Sequence, residues 1–136
     1  MESMSGGKIL VVDDHPAARQ SVMDALAIFG HEVVGCESAR PALQRLQRES
    51  FDVILTDLMM PGMNGLQFLG ELTEMGCPSQ TVMMTAHGSV STAVEAMRHG
   101  AFDYVEKPFD VDQLEAVIRG ALDEGAVVGK RSEVPN

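Results

Sequence analysis

Basic residues are scarce in this sequence. Ten Lys and Arg stand against 20 Asp and Glu over 136 residues, a formal charge of −10. A DNA-binding surface needs clustered cations to replace the counterions of phosphate. No such cluster occurs, so direct nucleic-acid binding by this chain is not expected. Cysteine is scarce as well. Cys36 and Cys77 are too few and too far apart for a disulfide framework or a zinc site, and read as two reduced, packed thiols. No apolar run approaches the roughly 18 residues of a membrane span. Met1 to Gly7 lacks the apolar stretch of a secretory signal. The expected location is therefore the cytoplasm, with no membrane partner.

What is present suits one domain with a sizeable core. Hydrophobic residues make up 45% and charged residues 22%, an ordinary globular balance. The acid excess has two readings, plain solubility or a cation site built from carboxylates. Position along the chain has to separate them.

Short β-branched runs alternate with longer amphipathic ones. Lys8 to Val12, His31 to Cys36, Phe51 to Thr56, Thr81 to Met84 and Ala101 to Val105 read as five strands. Pro16 opens a helix carrying Val22, Leu26 and Phe29, which Gly30 stops. Ser38 is positioned to cap a second helix running to about Ser50, with Leu43 and Leu46 on its buried face. The turn cluster Pro61-Gly62-Met63-Asn64-Gly65 precedes a third helix with Leu66, Leu69 and Leu72. Ser89 is positioned to cap a fourth helix through Val94 and Met97, ended by Gly100. Asp110 and Gln113 resemble a capping box for a fifth, with Leu114, Val117, Ile118 and Leu122. This alternation predicts an α/β domain, a doubly wound parallel sheet with helices on both faces. The expected limits are a disordered segment at 1–7, the domain at 8–123, and a linker or frayed tail at 124–136.

In an open α/β sheet, ligands bind outside the carboxyl ends of the strands. Strand 1 ends in Asp13-Asp14, strand 3 in Asp57, strand 4 in Thr85-Ala86, and strand 5 leads into Lys107-Pro108. Each has an ordinary explanation alone: helix capping for Asp13-Asp14, turn chemistry for Asp57, a loop hydroxyl for Thr85, a solvated side chain for Lys107. Together they put three acids, a hydroxyl and an ammonium at one mouth. Neighbouring carboxylates repel and need compensation. A hard divalent cation such as Mg²⁺ supplies it, taking one or two carboxylates plus waters and phosphate oxygens. The set suits phosphoryl transfer, which rests on positioning and charge neutralisation, with an Asp carboxylate as nucleophile. His15 and His87 flank the mouth and read as cap or loop residues, without an assigned role.

The segments KILVVDDHP, DVILTDLMMPGMNGL, VMMTAHGS and GAFDYVEKPF resemble the receiver (CheY-like) domain of bacterial two-component response regulators. Lys8 to about Leu122 carries the resemblance. It implies a flavodoxin-like five-stranded sheet of order 2-1-3-4-5 with five helices. It further implies that Asp57 accepts a phosphoryl group from a sensor histidine kinase. Mg²⁺ would be held by Asp14, Asp57 and the backbone carbonyl of Met59, with Asp13 acting through a water. Lys107 would hold a phosphoryl oxygen, and Lys107-Pro108 is commonly a cis peptide. Thr85 and Tyr104 match the family's switch pair, which repacks the helix 4, strand 5 and helix 5 face on phosphorylation. That face is also where such domains pair as homodimers. Met59 and Ala86 would border the path of attacking water, and the resemblance implies slow self-catalysed loss of the phosphate. The wording is similar to receivers of AAA+ transcription activators and FixJ-like regulators, so the output is an attached domain or a docking partner, in transcription. A hydrolase with an Asp nucleophile would want a second Asp at the position of Met59. A flavodoxin-like cofactor module would want a Gly- or Ser-rich first loop where Asp13-Asp14-His15-Pro16 stands.

Overall fold

A computed structural model describes residues 6–86 and 90–133, with the side chains of Val90 and of 127–133 left aside. Met1 to Ser5, His87 and the expected Ser89 cap lie outside the described residues. The five strands are β1 (Lys8–Val12), β2 (Glu32–Cys36), β3 (Val53–Asp57), β4 (Gln80–Thr85) and β5 (Asp103–Glu106). The helices are α1 (Pro16–Ile28), α2 (Ala39–Leu46), α3 (Gly65–Glu74), α4 (Val90–Arg98) and α5 (Val111–Glu133). All paired strands are parallel, in the order β2-β1-β3-β4-β5.

Pleating divides the sheet into two apolar faces. Ile9, Val11, Val53, Leu55, Val82, Met84 and Val105 pack with Val22 and Leu26 of α1 and Leu114, Ile118 and Ala121 of α5. Leu10, Val12 and Ile54 meet Ala39 and Ala42 of α2 and Phe68 and Leu72 of α3. Met83 meets Leu69 and, from α4, Ala96. Covered on both sides, β3 is buried along its whole length, which is why it reads as a continuous apolar run.

Several elements depart from the sequence expectation for local reasons. Helix α2 stops at Leu46 because Gln47 and Arg48 bond three residues back, to Gln44 and Arg45, a tightened last turn. Ser38 occupies its N-cap without making a side-chain capping bond. The fully buried positions of α2 are Ala39 and Ala42, while Leu43 and Leu46 are only partly covered. In α4 the buried residues are Ala93 and Ala96, whereas Val94 and Met97 are exposed. Small side chains bring that helix close to the sheet and turn the larger ones outward. Helix α5 continues to Glu133, ten residues beyond Asp123. Its start is as expected, with the Gln113 N–H donating to Asp110 Oδ1 at 2.7 Å.

The chain leaves β1 for one edge through β2, then returns to β3 on the other side of β1. That reversal opens a crevice between the carboxyl ends of β1 and β3. It places Asp13-Asp14 beside Asp57.

Candidate functional site

The site is built from strand ends. Asp13 follows β1, and its N–H continues the ladder by donating to the Cys36 carbonyl at 3.1 Å. Its side chain is fully buried. One carboxylate oxygen accepts the His15 N–H at 3.0 Å, and the other faces Lys107 Nζ at 3.4 Å. Asp57 closes β3 and is buried. Its Oδ2 lies 3.2 Å from the same ammonium. One lysine therefore spans two buried carboxylates. Burial holds the Asp57 carboxyl above the usual aspartate range. Lys107 pulls it down, the charge of Asp13 pushes it up, and bonds from Lys107 and the Met59 N–H lower it.

Asp14 completes the group. Its Oδ1 is the buried side-chain oxygen without a hydrogen-bond partner among the described residues. Buried polar atoms are nearly always satisfied, so this orphan marks a place for a ligand. One ligand atom each from Asp13, Asp14, His15 and Asp57 lies within 4.8 Å of the others. A donor set of mainly hard oxygens with an unsatisfied carboxylate fits a divalent cation.

Thr85 ends β4, is buried, and donates weakly from Oγ1 to the Val105 carbonyl at 3.4 Å. Register pairs Met83 with Tyr104 and Met84 with Val105. Alternation along the strands then puts Thr85 and Tyr104 on the sheet face that α4 covers. Tyr104 is partly buried against the cluster of Leu58, Leu69, Met83 and Ala96. The Lys107 N–H donates to the Thr85 carbonyl at 2.7 Å, and Lys107-Pro108 is cis. Met59 is 65% exposed and Ala86 is exposed, both at the rim.

Two contributors escaped the sequence reading. Arg19 of α1 donates to the Asp13 carbonyl at 2.7 Å, which fixes the loop after β1. Gly65 opens α3 so close to the β3 end that a Cβ there would sit 2.8 Å from the Asp57 carbonyl and 2.9 Å from Leu58 Cα. The Asn64 and Gln67 side chains cap this helix reciprocally. The signal for Gly65 was the turn cluster, legible as a turn but not as a close approach. Arg19 left no signal, since nothing local distinguishes it from other helix arginines.

Cys36 is buried and Cys77 half-buried, both free. Burial pushes the Cys36 thiol up, only partly offset by Arg45. That matches the expected inert thiols.

Fold and mouth define a class: a doubly wound α/β domain with an acidic site at its switch point. Residues 9–119 match the response regulator receiver domain, and the chain belongs to that family. It is 43% identical over 129 residues to the response regulator protein FleR of Pseudomonas aeruginosa, covering 94% of this chain and 27% of that one. It is 37% identical over 128 residues to the transcriptional regulatory protein FixJ of Bradyrhizobium diazoefficiens, covering 94% and 62%. A receiver domain structure from Clostridium thermocellum superposes with a TM-score of 0.84 at 32% identity, covering 89% of this chain and 98% of that one. This chain is thus the receiver of a two-component response regulator, a signalling switch rather than an enzyme of metabolic turnover. It spans only part of FleR and FixJ, whose remaining lengths lie outside the match. Receivers of this family bind Mg²⁺ at an acidic pocket. Among the described residues no helix is long and apolar enough to cross a membrane.

Proposed function

We propose that Asp57 is the phosphoacceptor of a Mg²⁺-dependent switch that takes its phosphoryl group from a sensor histidine kinase. The observation that carries this reading is the mouth itself: three converging carboxylates, one oxygen of Asp14 unsatisfied, and Lys107 bridging Asp13 and Asp57. In the step, an Asp57 carboxylate oxygen forms a bond to phosphorus while the P–N bond of the donor phosphohistidine breaks. The imidazole leaves with the bonding pair. Asp14, Asp57 and the Met59 carbonyl would hold Mg²⁺, with Asp13 bound through a water. When bound, the ion neutralises charge on the carboxylates and on the phosphoryl oxygens.

Lys107 then exchanges its carboxylate contacts for a phosphoryl oxygen. Beside it, Val22 of α1 and Pro108 and Phe109 of the loop after β5 line an apolar groove of about 490 Å³ that also touches Asp13 and Ala86. That groove gives a donor imidazole a route past the rim. The Thr85 hydroxyl, whose bond to the Val105 carbonyl is long at 3.4 Å, turns toward the phosphoryl group. Tyr104 moves inward on the same face, and the α4–β5–α5 surface changes. The altered surface pairs with a second copy or controls an output domain or partner in transcription, the setting named for FixJ. The 124–136 segment serves as the connection to that output. A net charge of −10 leaves DNA reading to the partner. The chain works in the cytoplasm, and its own hydrolytic activity is limited to slow loss of the phosphate.

Intact mass after incubation with acetyl phosphate and Mg²⁺ tests this reading. One phosphoryl adduct is expected on the wild type and none with Asp57→Asn or with EDTA. An adduct that survives Asp57→Asn would sink the assignment.

A further inference from the structure

His15 has no part in that mechanism, yet it stands among the carboxylates. It is the N-cap residue of α1, and Pro16 follows as the first helical residue. Its backbone is anchored twice: the N–H donates to Asp13 Oδ1 at 3.0 Å, and the carbonyl accepts from the Arg19 N–H at 2.9 Å. Its side chain makes no capping bond and is 72% exposed, so the ring is free to rotate. Nδ1 lies 3.5 Å from Asp13 Oδ1 and 3.5 Å from Asp14 Oδ1. Both separations exceed the usual hydrogen-bond range of about 2.7–3.2 Å. The Asp14 oxygen that faces the imidazole is the orphaned one.

Four atoms, three carboxylate oxygens and one nitrogen of this ring, lie within 4.8 Å of one another. Donors sharing one ion at about 2.0–2.2 Å each lie no more than about 4 Å apart. A contraction of under an ångström, within reach of a rotating ring, brings the nitrogen to an ion held by Asp14 and Asp57, with Asp13 still bound through its water. We propose that His15 is a nitrogen ligand to the divalent cation of this mouth. It tilts the site from Mg²⁺ toward later first-row transition ions such as Co²⁺ and Ni²⁺. Oxygen-only sites suit Mg²⁺ and Mn²⁺, whereas imidazole suits the later transition metals, and affinity climbs from Mn²⁺ through Co²⁺ to Cu²⁺. Exchanging one bound water for an imidazole therefore favours the later ions far more than Mg²⁺. The inference rests on the reading of Asp14 and Asp57 as cation ligands. The opposing view is an exposed cap residue that contributes nothing beyond its surface.

The test loads the intact protein with Mn²⁺ and reads nitrogen coupling by pulsed electron paramagnetic resonance. Co²⁺ and Mg²⁺ affinities are titrated in parallel. Wild type and His87→Ala are expected to show imidazole coupling, and His15→Ala to lose it. Co²⁺ affinity is expected to fall about tenfold or more in His15→Ala, the scale of lost ligand support, with Mg²⁺ affinity changing far less. His15→Asn keeps a helix-capping residue and is expected to lose the coupling too, which separates ligation from helix disruption. Mn²⁺ bound through Asp14 without nitrogen coupling would overturn the inference alone. So would coupling that survives His15→Ala, or equal losses for Co²⁺ and Mg²⁺. Mn²⁺ that binds Asp14→Asn as tightly as wild type would overturn the cation reading itself, and the role of His15 with it.

Discussion

The two ends of the sheet treat buried polar groups in opposite ways. At the amino end, His31 has a fully buried side chain and is matched on both nitrogens. The Gly7 N–H donates to Nδ1 at 3.0 Å, so Nε2 carries the proton and donates to Glu115 at 2.7 Å. Arg119 holds the other Glu115 oxygen at 3.1 Å. Nearby, Asp52 accepts the Lys8 N–H at 2.8 Å, and Ser79 donates to the Phe51 carbonyl at 2.6 Å. At the carboxyl end, like charges are crowded, one carboxylate oxygen is left without a partner, and a single lysine serves two acids. The same fold thus closes its network where it needs stability and leaves it open where a ligand enters. Among the described residues the unmet buried side-chain oxygen lies at the carboxyl end, where the titrating groups crowd.

Four perturbations probe that contrast, from the largest expected effect to the smallest. Gly65→Val forces a Cβ against the Asp57 carbonyl and Leu58 Cα, both backbone and unable to yield cheaply. It is expected to cost about 3 kcal/mol, the upper range for overpacking, seen as a lower urea midpoint, together with loss of phosphorylation. Mg²⁺ at a hundred times its dissociation constant should stabilise the wild type by about 2.7 kcal/mol. Thermal unfolding with and without the ion reads this, and Asp14→Asn should remove most of it. A full response in Asp14→Asn would mean the ion binds elsewhere.

His31→Leu tests the closed end. It strips the Gly7 N–H of its acceptor and one Glu115 oxygen of its donor, and should cost about 2 kcal/mol, the penalty for stranded buried groups. The phosphoryl adduct should still form. If it does not, the two ends are coupled and the contrast fails.

Asp57→Asn in EDTA at neutral pH should instead stabilise, on the order of 1 kcal/mol, a common size for single substitutions. The raised carboxyl means the folded wild type holds its proton more tightly than the unfolded chain does. That contribution is complete below the unfolded value of about 3.9 and is lost as pH rises through the raised folded value. The advantage of Asn should therefore grow across that window and vanish in acid. A destabilised Asp57→Asn at pH 7 would show that Lys107 outweighs burial.

Helix α4 shows how far sequence patterning reached. The spacing of Val94 and Met97 marked a helix correctly, yet the sheet covers Ala93 and Ala96. Helical periodicity gives a stripe but not which of two adjacent stripes faces inward when both are apolar. Tail residues beyond Asp123 lost apolar periodicity and read as a linker, while the backbone continues as helix to Glu133. Helix formation needs backbone bonds, not an amphipathic face, so that pattern could not see its end.

By itself the sequence determined the alternation of elements, the two-faced parallel sheet and the residues at its strand ends, because periodicity and turn chemistry are local. It determined that Asp13, Asp14, Asp57, Thr85 and Lys107 would share one edge, because every parallel strand ends on the same side. Only the tertiary structure decided that Lys107 reaches both Asp13 and Asp57, residues 94 and 50 positions away. It alone decided that Arg19 pins the Asp13 carbonyl, that Gly65 packs against the end of β3, and that Asp14 keeps one oxygen unmet among the described residues. Those facts depend on distances set by packing across the chain, which no spacing within it encodes.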